Sequence, residues 1–281
     1  MALTVRTNIA ALGSIGKLHK TQNNLTSSLE KISSGLRVNR AADDSAGMSV
    51  ASRMESDNTS LKQAMRNAND GVSMIQTAEG GLNEIYNILV RMRELAVQGS
   101  NQTYNSSDRA AISNEFKTLA TEIKRIASVA NFNRQNVLNS TTTDFALQIG
   151  IQNNADNKIL VNLASVAATW GSLKLNSENL ASTGITTLSR SVTAITVIDT
   201  ALKSVNTARS TLGSYQNRLE NALNEATNYS ENLAASASQI LDVDYATESA
   251  NMTRYQIMQQ AGVAALGQAK AIPQSIISLL S

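Results

Sequence analysis

Over most of this chain apolar residues recur at alternating spacings of three and four, the period of one face of an α-helix. The first stripe runs Val5, Ile9, Leu12, Ile15 and Leu18, then Leu25, Leu29, Ile32 and Leu36. It predicts a helix of about 30 residues, roughly 45 Å long at 1.5 Å per residue. The helix is expected to stop at Ser33-Ser34-Gly35, where glycine supplies a left-handed end. Asn39 to Gly47 is small and polar and reads as a connector, with an Asp or Ser placed to cap the next helix. A second stripe follows at Leu61, Met65, Ala68, Val72, Ile75, Leu82, Ile85, Leu89, Met92 and Ala96, with one skipped turn around Glu79-Gly80-Gly81. Two adjacent glycines inside a helix cost about 1 kcal/mol each relative to alanine, so they are expected to mark a bend or the close approach of another chain. Gly99 ends this helix, Asn101 to Ser107 is rich in turn formers, and Ile112, Phe116, Leu119, Ile123, Ile126 and Ala130 predict a third.

Between 141 and 190 the helical period disappears. The alternating runs Phe145 to Ile149 and Lys158 to Leu163 flank Asn153-Asn154-Ala155-Asp156-Asn157 and predict a β-hairpin. From Ser191 a heptad returns, with its seam at Ile195, Ile198, Leu202, Val205, Arg209, Leu212, Gln216, Leu219, Leu223, Ala226, Ser230, Leu233, Ala237 and Ile240. Heptads sustained over this length argue for coiled-coil packing. Arg209, Gln216 and Ser230 interrupt it, either tolerated at the seam edge or setting its register. Asp242-Val243-Asp244 reads as a break or cap. A last helix carries Ile257, Ala261, Ala264, Ala265, Ile272, Ile276, Leu279 and Leu280, with Pro273 expected to kink or fray its end.

The predicted fold is mainly α: a long antiparallel helical, coiled-coil bundle with the N- and C-termini paired, plus a short β-hairpin insert. The first and last helices have no sequence-adjacent partner for their apolar faces. Pairing them with each other still leaves the broad apolar perimeter of the last one uncovered, so further chains are required.

Composition supports thin helix-on-helix seams over a thick core. Aromatics are 4% of the 281 residues, with one proline and no cysteine, so the interior must be filled by Ala, Leu, Ile, Val and Met. The absence of cysteine excludes a disulfide framework and thiolate metal sites. Net charge is +2, which makes no case for nucleic acid. Charge is uneven, however: Arg6, Lys17, Lys20, Lys31, Arg37 and Arg40 stand against Glu30 alone in the first forty residues. Beyond Tyr255 only Lys270 is charged among the side chains, so the two ends look like complementary packing partners. A basic amphipathic start also fits a membrane-surface or signalling coiled coil, the reading from another class. No secretory signal and no membrane-spanning run is readable, because Gln259, Gln260, Gln268 and Gln274 interrupt the C-terminal stretch.

Candidate chemistry is thin. His19 is the only imidazole and stands on a predicted helix, where a surface or seam role is the plain reading. Asp43-Asp44 suits capping better than paired acid–base work, since adjacent residues point apart. Glu79-Gly-Gly lacks the Gly-Lys-Ser/Thr pattern and preceding strand of a phosphate loop. Triplets such as Asn24-Leu-Thr26 and Asn228-Tyr-Ser230 fall on predicted helix faces of an Asn-rich chain. No catalytic residue, metal ligand or cofactor is predicted, and a non-enzymatic structural role is expected.

Longer motifs carry a family resemblance. Leu29-Glu-Lys-Ile-Ser-Ser-Gly-Leu-Arg-Val-Asn-Arg-Ala-Ala-Asp-Asp-Ser-Ala-Gly-Met48 closely resembles the N-terminal signature of bacterial flagellins, as do Gln76-Thr-Ala-Glu-Gly-Gly-Leu82, Arg91-Met-Arg-Glu-Leu-Ala-Val-Gln98 and Ile126 to Asn133. Leu212-Gly-Ser-Tyr-Gln-Asn-Arg-Leu219, Asp242-Val-Asp-Tyr-Ala-Thr-Glu248 and Gln260-Ala are similar to the C-terminal signature. The resemblance covers about residues 1–140 and 190–281 and implies a short flagellin, a subunit that polymerises into the flagellar filament for motility. It implies an inner, channel-lining coiled-coil layer of 1–45 with 241–281, a helical rod layer of 46–140 with 191–240, and a small outer insert at 141–190. Val5, Ile9, Leu12, Ile15, Ile272, Ile276, Leu279 and Leu280 would pack the inner layer. Implied partners are many copies of itself, an export chaperone, a filament cap and hook-junction proteins, with no nucleic acid or membrane. The implied location is the extracellular filament, reached through the flagellar type III export channel without a cleaved signal. Where flagellins are seen by Toll-like receptor 5, the matching positions here are Arg91, Leu95 and Glu115. Flagellin inserts are often O-glycosylated, and Thr141, Thr142, Thr143, Ser182, Thr183, Thr186 and Thr187 are the exposed-looking candidates here, with no sequence rule to choose among them. The related alternative is a hook–filament junction protein, which usually matches less well at the C-terminus.

Overall fold

The computed structural model describes residues 8–139, 144–163 and 184–280, and side chains as far as residue 271. The elements run α1 Ile9–Ser34, α2 Ser45–Gly99, α3 Ser106–Val129, β1 Asn131–Phe132, β2 Gln135–Asn136, β3 Asp144–Gln148, β4 Lys158–Asn162, α4 Leu188–Leu241 and α5 Tyr245–Leu280. The fold is mainly α with a β-hairpin, as the periodicity predicts. The chain forms two compact units, Met1–Asn58 with Glu231–Ser281 and Thr59–Ser230.

In the first unit, α1 starts at Ile9 behind the N-cap Asn8 and stops where predicted, with Gly35 at φ 74° and its N–H donated to the Lys31 carbonyl. Only glycine takes that left-handed conformation without a steric cost. The connector is held by carboxylates: Asp43 Oδ2 accepts from the backbone N–H groups of Asn39 and Arg40, and Asp44 Oδ1 accepts from Gly47 N–H at 2.8 Å. The aspartates therefore serve as turn and helix-start acceptors. The turn between α4 and α5 lies against this connector. Leu36 and Asp242 form an antiparallel bridge, Arg37 N–H donates to the Leu241 carbonyl at 2.5 Å, and Val243 N–H donates to that of Gly35 at 3.0 Å.

The second unit has one buried cluster. Its centre is Ile75, Leu82, Ile85, Leu89 and Met92 of α2, Phe116 and Ile123 of α3, and Ile198, Val205 and Leu212 of α4. α2 and α4 run antiparallel: Arg93 pairs with Asp199 at 2.7 Å, Glu79 with Arg209 at 3.6 Å, and Thr227 Oγ1 meets Met65 Sδ. Asn105 opens α3 in a reciprocal capping box with Asp108. β3 and β4 pair antiparallel with Phe145 opposite Val161, the predicted hairpin.

Two expectations are corrected. Three positions of the α4 seam are shifted by one residue, because Ala194, Ala201 and Ala208 are buried where Ile195, Leu202 and Arg209 were predicted. Close approach of helices places the shortest side chains at the centre of contact, and the larger Ile195 and Leu202 flank it half-buried. Arg209 accordingly lies at the seam edge, its side chain 33% exposed and its Nε buried without a hydrogen-bond partner. Gln216 donates to Glu220 at 3.0 Å on the same edge.

The second correction concerns Gly80-Gly81. α2 runs unbroken through both, and what approaches is the same chain. An unpredicted small hairpin, β1–β2, turns through Asn133 and Arg134, both at positive φ, and sends Val137 and Leu138 into the core. A Cβ built on Gly81 would lie 2.6 Å from Leu138 Cδ1, whereas one on Gly80 meets nothing within 4 Å. The β3–β4 hairpin rests on α2 in a similar way, with Leu147 over Gly71.

The two neighbouring glycines therefore separate two effects. Gly80→Ala is expected to stabilise the single chain by about 0.5–1 kcal/mol through helix propensity. Gly81→Ala is expected to destabilise it, since overpacking a fully buried leucine costs about 1–3 kcal/mol. Thermal melts of the two variants check this, and the same sign for both would contradict the packing.

Candidate functional site

Both chain ends meet in α1 and α5. Asn8 Nδ2 donates to the Ala269 carbonyl at 2.8 Å, Gln259 Nε2 donates to Gln22 Oε1 at 3.2 Å, Ser28 Oγ donates to Glu248 Oε1, and Tyr245 Oη donates to the Ile32 carbonyl at 2.7 Å. Rising numbers on α1 meet falling numbers on α5, so the helices are antiparallel. Asp244 opens α5: its carboxylate accepts from Thr247 Oγ1 and from the N–H groups of Thr247 and Ala246. The hydroxyl of Thr247, then these amides, hold the Asp244 carboxyl below the usual aspartate range. Its stabilising bonds are therefore complete above the ordinary carboxylate pKa and are lost as pH falls through the depressed value.

Little of either helix is buried by this pairing. Ala11 and Ser28 of α1 and Ala269 of α5 are buried, while Ile9 is 70% exposed and Leu12 67%, with Ile15 and Leu29 also exposed. On α5, Ile257 is 61% and Val263 57% exposed, with Met258 beside them. A groove between the helices is lined by Leu18, Met258, Ala261, Gly262 and Ala265, with Lys17 and Lys20 on its rim. The predicted packing residues Ile9, Leu12 and Ile15 thus share one helix with their apolar side chains uncovered. Val5 lies outside the described residues, as do the side chains of Ile272, Ile276, Leu279 and Leu280. The helical backbone of α5 nevertheless continues past Pro273 to Leu280, without the fraying that was one of the two expected outcomes.

The second unit brings together the other predicted residues. Arg91 of α2 bonds Glu115 of α3 at 2.9 Å and Glu94 of its own helix at 2.9 Å. The hydrogen bond to Glu94, then that to Glu115, raises the Arg91 pKa. All three side chains stay about half exposed, so these pairs contribute little stability. Leu95 is 2% exposed and belongs to the core beneath. Of the hydroxyl candidates, Thr186 and Thr187 are exposed, and Thr187 starts α4 by accepting from Arg190 N–H and Ser191 N–H. Thr141, Thr142, Thr143, Ser182 and Thr183 lie outside the described residues. His19 is exposed on α1.

Sequence reasoning missed Asn8, Tyr245 and the Leu36–Asp242 bridge. Asn8 carries a readable signal, an Asn directly before an apolar-periodic run; the stripe starting at Val5 masked it. The bridge has none, because backbone pairing between remote turns leaves no pattern in side chains.

An antiparallel pair of terminal helices with apolar sides uncovered is the arrangement of a helical assembly subunit. Comparison with known proteins names the kind. The model of the bacterial flagellin N-terminal helical region matches residues 5–143, and that of the bacterial flagellin C-terminal helical region matches residues 195–280. The chain is 42% identical to a flagellin of Halalkalibacterium halodurans over 278 residues, 99% of this chain and 100% of that one. It is 37% identical to the flagellar filament 33 kDa core protein of Treponema phagedenis over 289 residues, again 99% and 100% of the two chains. A solved structure described as a flagellar hook-associated protein from Vibrio parahaemolyticus shares the fold, with a TM-score of 0.58 at 12% identity over 71% of this chain and 100% of that one. The chain belongs to the bacterial flagellin family. It is a structural subunit of the flagellar filament, outside the cell, in a family that self-polymerises.

Proposed function

We propose that copies of this chain join through the uncovered apolar sides of α1 and α5, so that residues 1–45 with 241–281 form the inner, channel-lining layer of the filament. The observation that carries this is the exposure of Ile9, Leu12, Ile257 and Val263 on two helices that already bond each other. At about 25 cal/mol per Å2 of apolar surface, covering such side chains is the natural drive for association. Large apolar side chains left exposed on both terminal helices fit an interaction surface. Residues 46–140 with 191–240 would then form the surrounding rod layer and 141–190 the outer insert. The remaining partners follow from the family resemblance: an export chaperone on the last helix, a cap that guides insertion, hook-junction proteins at the base, and the flagellar type III channel as the route out. Catalysis has no place in this reading.

The resemblance further assigns recognition by Toll-like receptor 5 to the patch around Arg91 and Glu115. Leu95, buried below them, would hold that patch and leave contact to its charged neighbours. Arg91→Ala is expected to lower the signal of soluble subunit in a receptor reporter assay about tenfold, the size of a moderate interface contact. An unchanged response would remove the assignment.

For assembly, Leu12→Asp separates subunit from polymer. The side chain is already solvated in the single chain, so the stability read from a thermal melt is expected to change by no more than about 0.5 kcal/mol. Burying the carboxylate between copies is prohibitive, so growth on filament seeds is expected to stop. Normal growth by Leu12→Asp would overturn the reading. Wild-type subunit that failed to extend flagellin seeds would favour the junction protein.

A further inference from the structure

The one proline of the chain, Pro273, stands inside a helix that continues to Leu280. A proline has no N–H, so it cannot donate to the carbonyl four residues back. In α5 that carbonyl belongs to Ala269, a buried residue 9% exposed, where water cannot readily replace the lost donor. It is the same carbonyl that Asn8 reaches, its Nδ2 donating at 2.8 Å. The other end of that amide is also used: Asn8 Oδ1 accepts from Ala11 N–H at 2.9 Å and caps α1. One side chain thus closes the start of α1 and supplies the donor that α5 lacks.

We propose that Asn8, the Ala269 carbonyl and Pro273 form a register lock between the terminal helices. Contact along the middle of the pair gives little axial definition. Leu18 and Gly262 line one groove as apolar neighbours, and Gln22 and Gln259 join through a solvent-exposed amide pair. Small apolar side chains pack almost as well after a slide along the helix. Directional bonds therefore decide which register is unique. Toward the turn end these are the Leu36–Asp242 bridge, Tyr245 to Ile32 and the buried Ser28 to Glu248; at the open end the Asn8 lock is the directional bond among the described residues. The lock works because Ala269 has no rival donor in its own helix. A residue with an N–H at 273 would restore the ordinary helical bond and make Asn8 dispensable. The outward apolar sides of α1 and α5 keep a fixed offset only while the register holds, so a subunit with the lock broken presents a mismatched face to its neighbours.

The test is a double-mutant cycle in the full chain. Asn8→Ser keeps a neutral capping oxygen but is too short to reach Ala269, and Pro273→Ala returns the N–H to α5. Thermal depolymerisation of filaments is followed for wild type, both single variants and the pair. Asn8→Ser is expected to lower the midpoint by about 3 °C or more with Pro273 present, the scale of one lost hydrogen bond. With Ala at 273 the same change is expected to cost less than about a third of that. If Asn8→Ser fails to assemble at all, Pro273→Ala is expected to rescue assembly. An equal loss in both backgrounds, absence of rescue, or no loss from Asn8→Ser would each overturn the lock, leaving Asn8 as a cap alone.

Discussion

Everything at the ends of this chain depends on one backbone contact, the short antiparallel bridge between Gly35–Arg37 and Leu241–Val243. It ties two turns two hundred residues apart in sequence, a costly closure that local propensity cannot supply. With the turns joined, α1 and α5 leave the bridge antiparallel, and Tyr245, Ser28 and Asn8 bond across the pair in that order toward the open end. The bridge needs Gly35, because the left-handed residue both ends α1 and offers its carbonyl to Val243. It also needs Asp244, whose carboxylate starts α5 only two residues beyond.

The two compact units solve the problem of burial differently. Residues 59–230 close their own core: three helices and two hairpins surround Leu82, Ile85, Leu89 and Phe116 with no water contact. The unit of 1–58 and 231–281 leaves leucine, isoleucine and valine uncovered on both terminal helices. Such a difference within one chain has a physical consequence. The first kind of unit covers its apolar side chains within one chain, while the second keeps apolar surface that neighbours could cover.

Much of this was legible in the sequence because its signals are local. Gly35 and Gly99 end helices where they stand, Asn105 caps α3, and alternation around Asn153–Asn157 marks a hairpin. What failed was the choice of face. Hydrophobic pattern favours large residues, so Ile195 and Leu202 were placed in a seam that Ile198, Val205 and Leu212 share instead with Ala194, Ala201 and Ala208. The same bias hides that Ala11 and Ser28 face α5 while Leu12 and Leu29 look outward. The β1–β2 turn was invisible because Asn133 and Arg134 take positive φ without a glycine to announce it. The tie between Asn8 and the proline helix spans 261 positions and leaves no periodicity at all.

The central claim is that the paired terminal helices are completed only by other copies, whereas the core of 59–230 is complete in one. Amide hydrogen exchange, compared between soluble subunit and filament, tests it most directly. Assembly is expected to slow exchange in α1 and α5 by at least about a hundredfold, the protection given by roughly 2.7 kcal/mol of linked burial. Leu82 to Met92 should exchange at nearly the same rate in both forms. Slowing in the core with α1 and α5 unchanged would contradict the account.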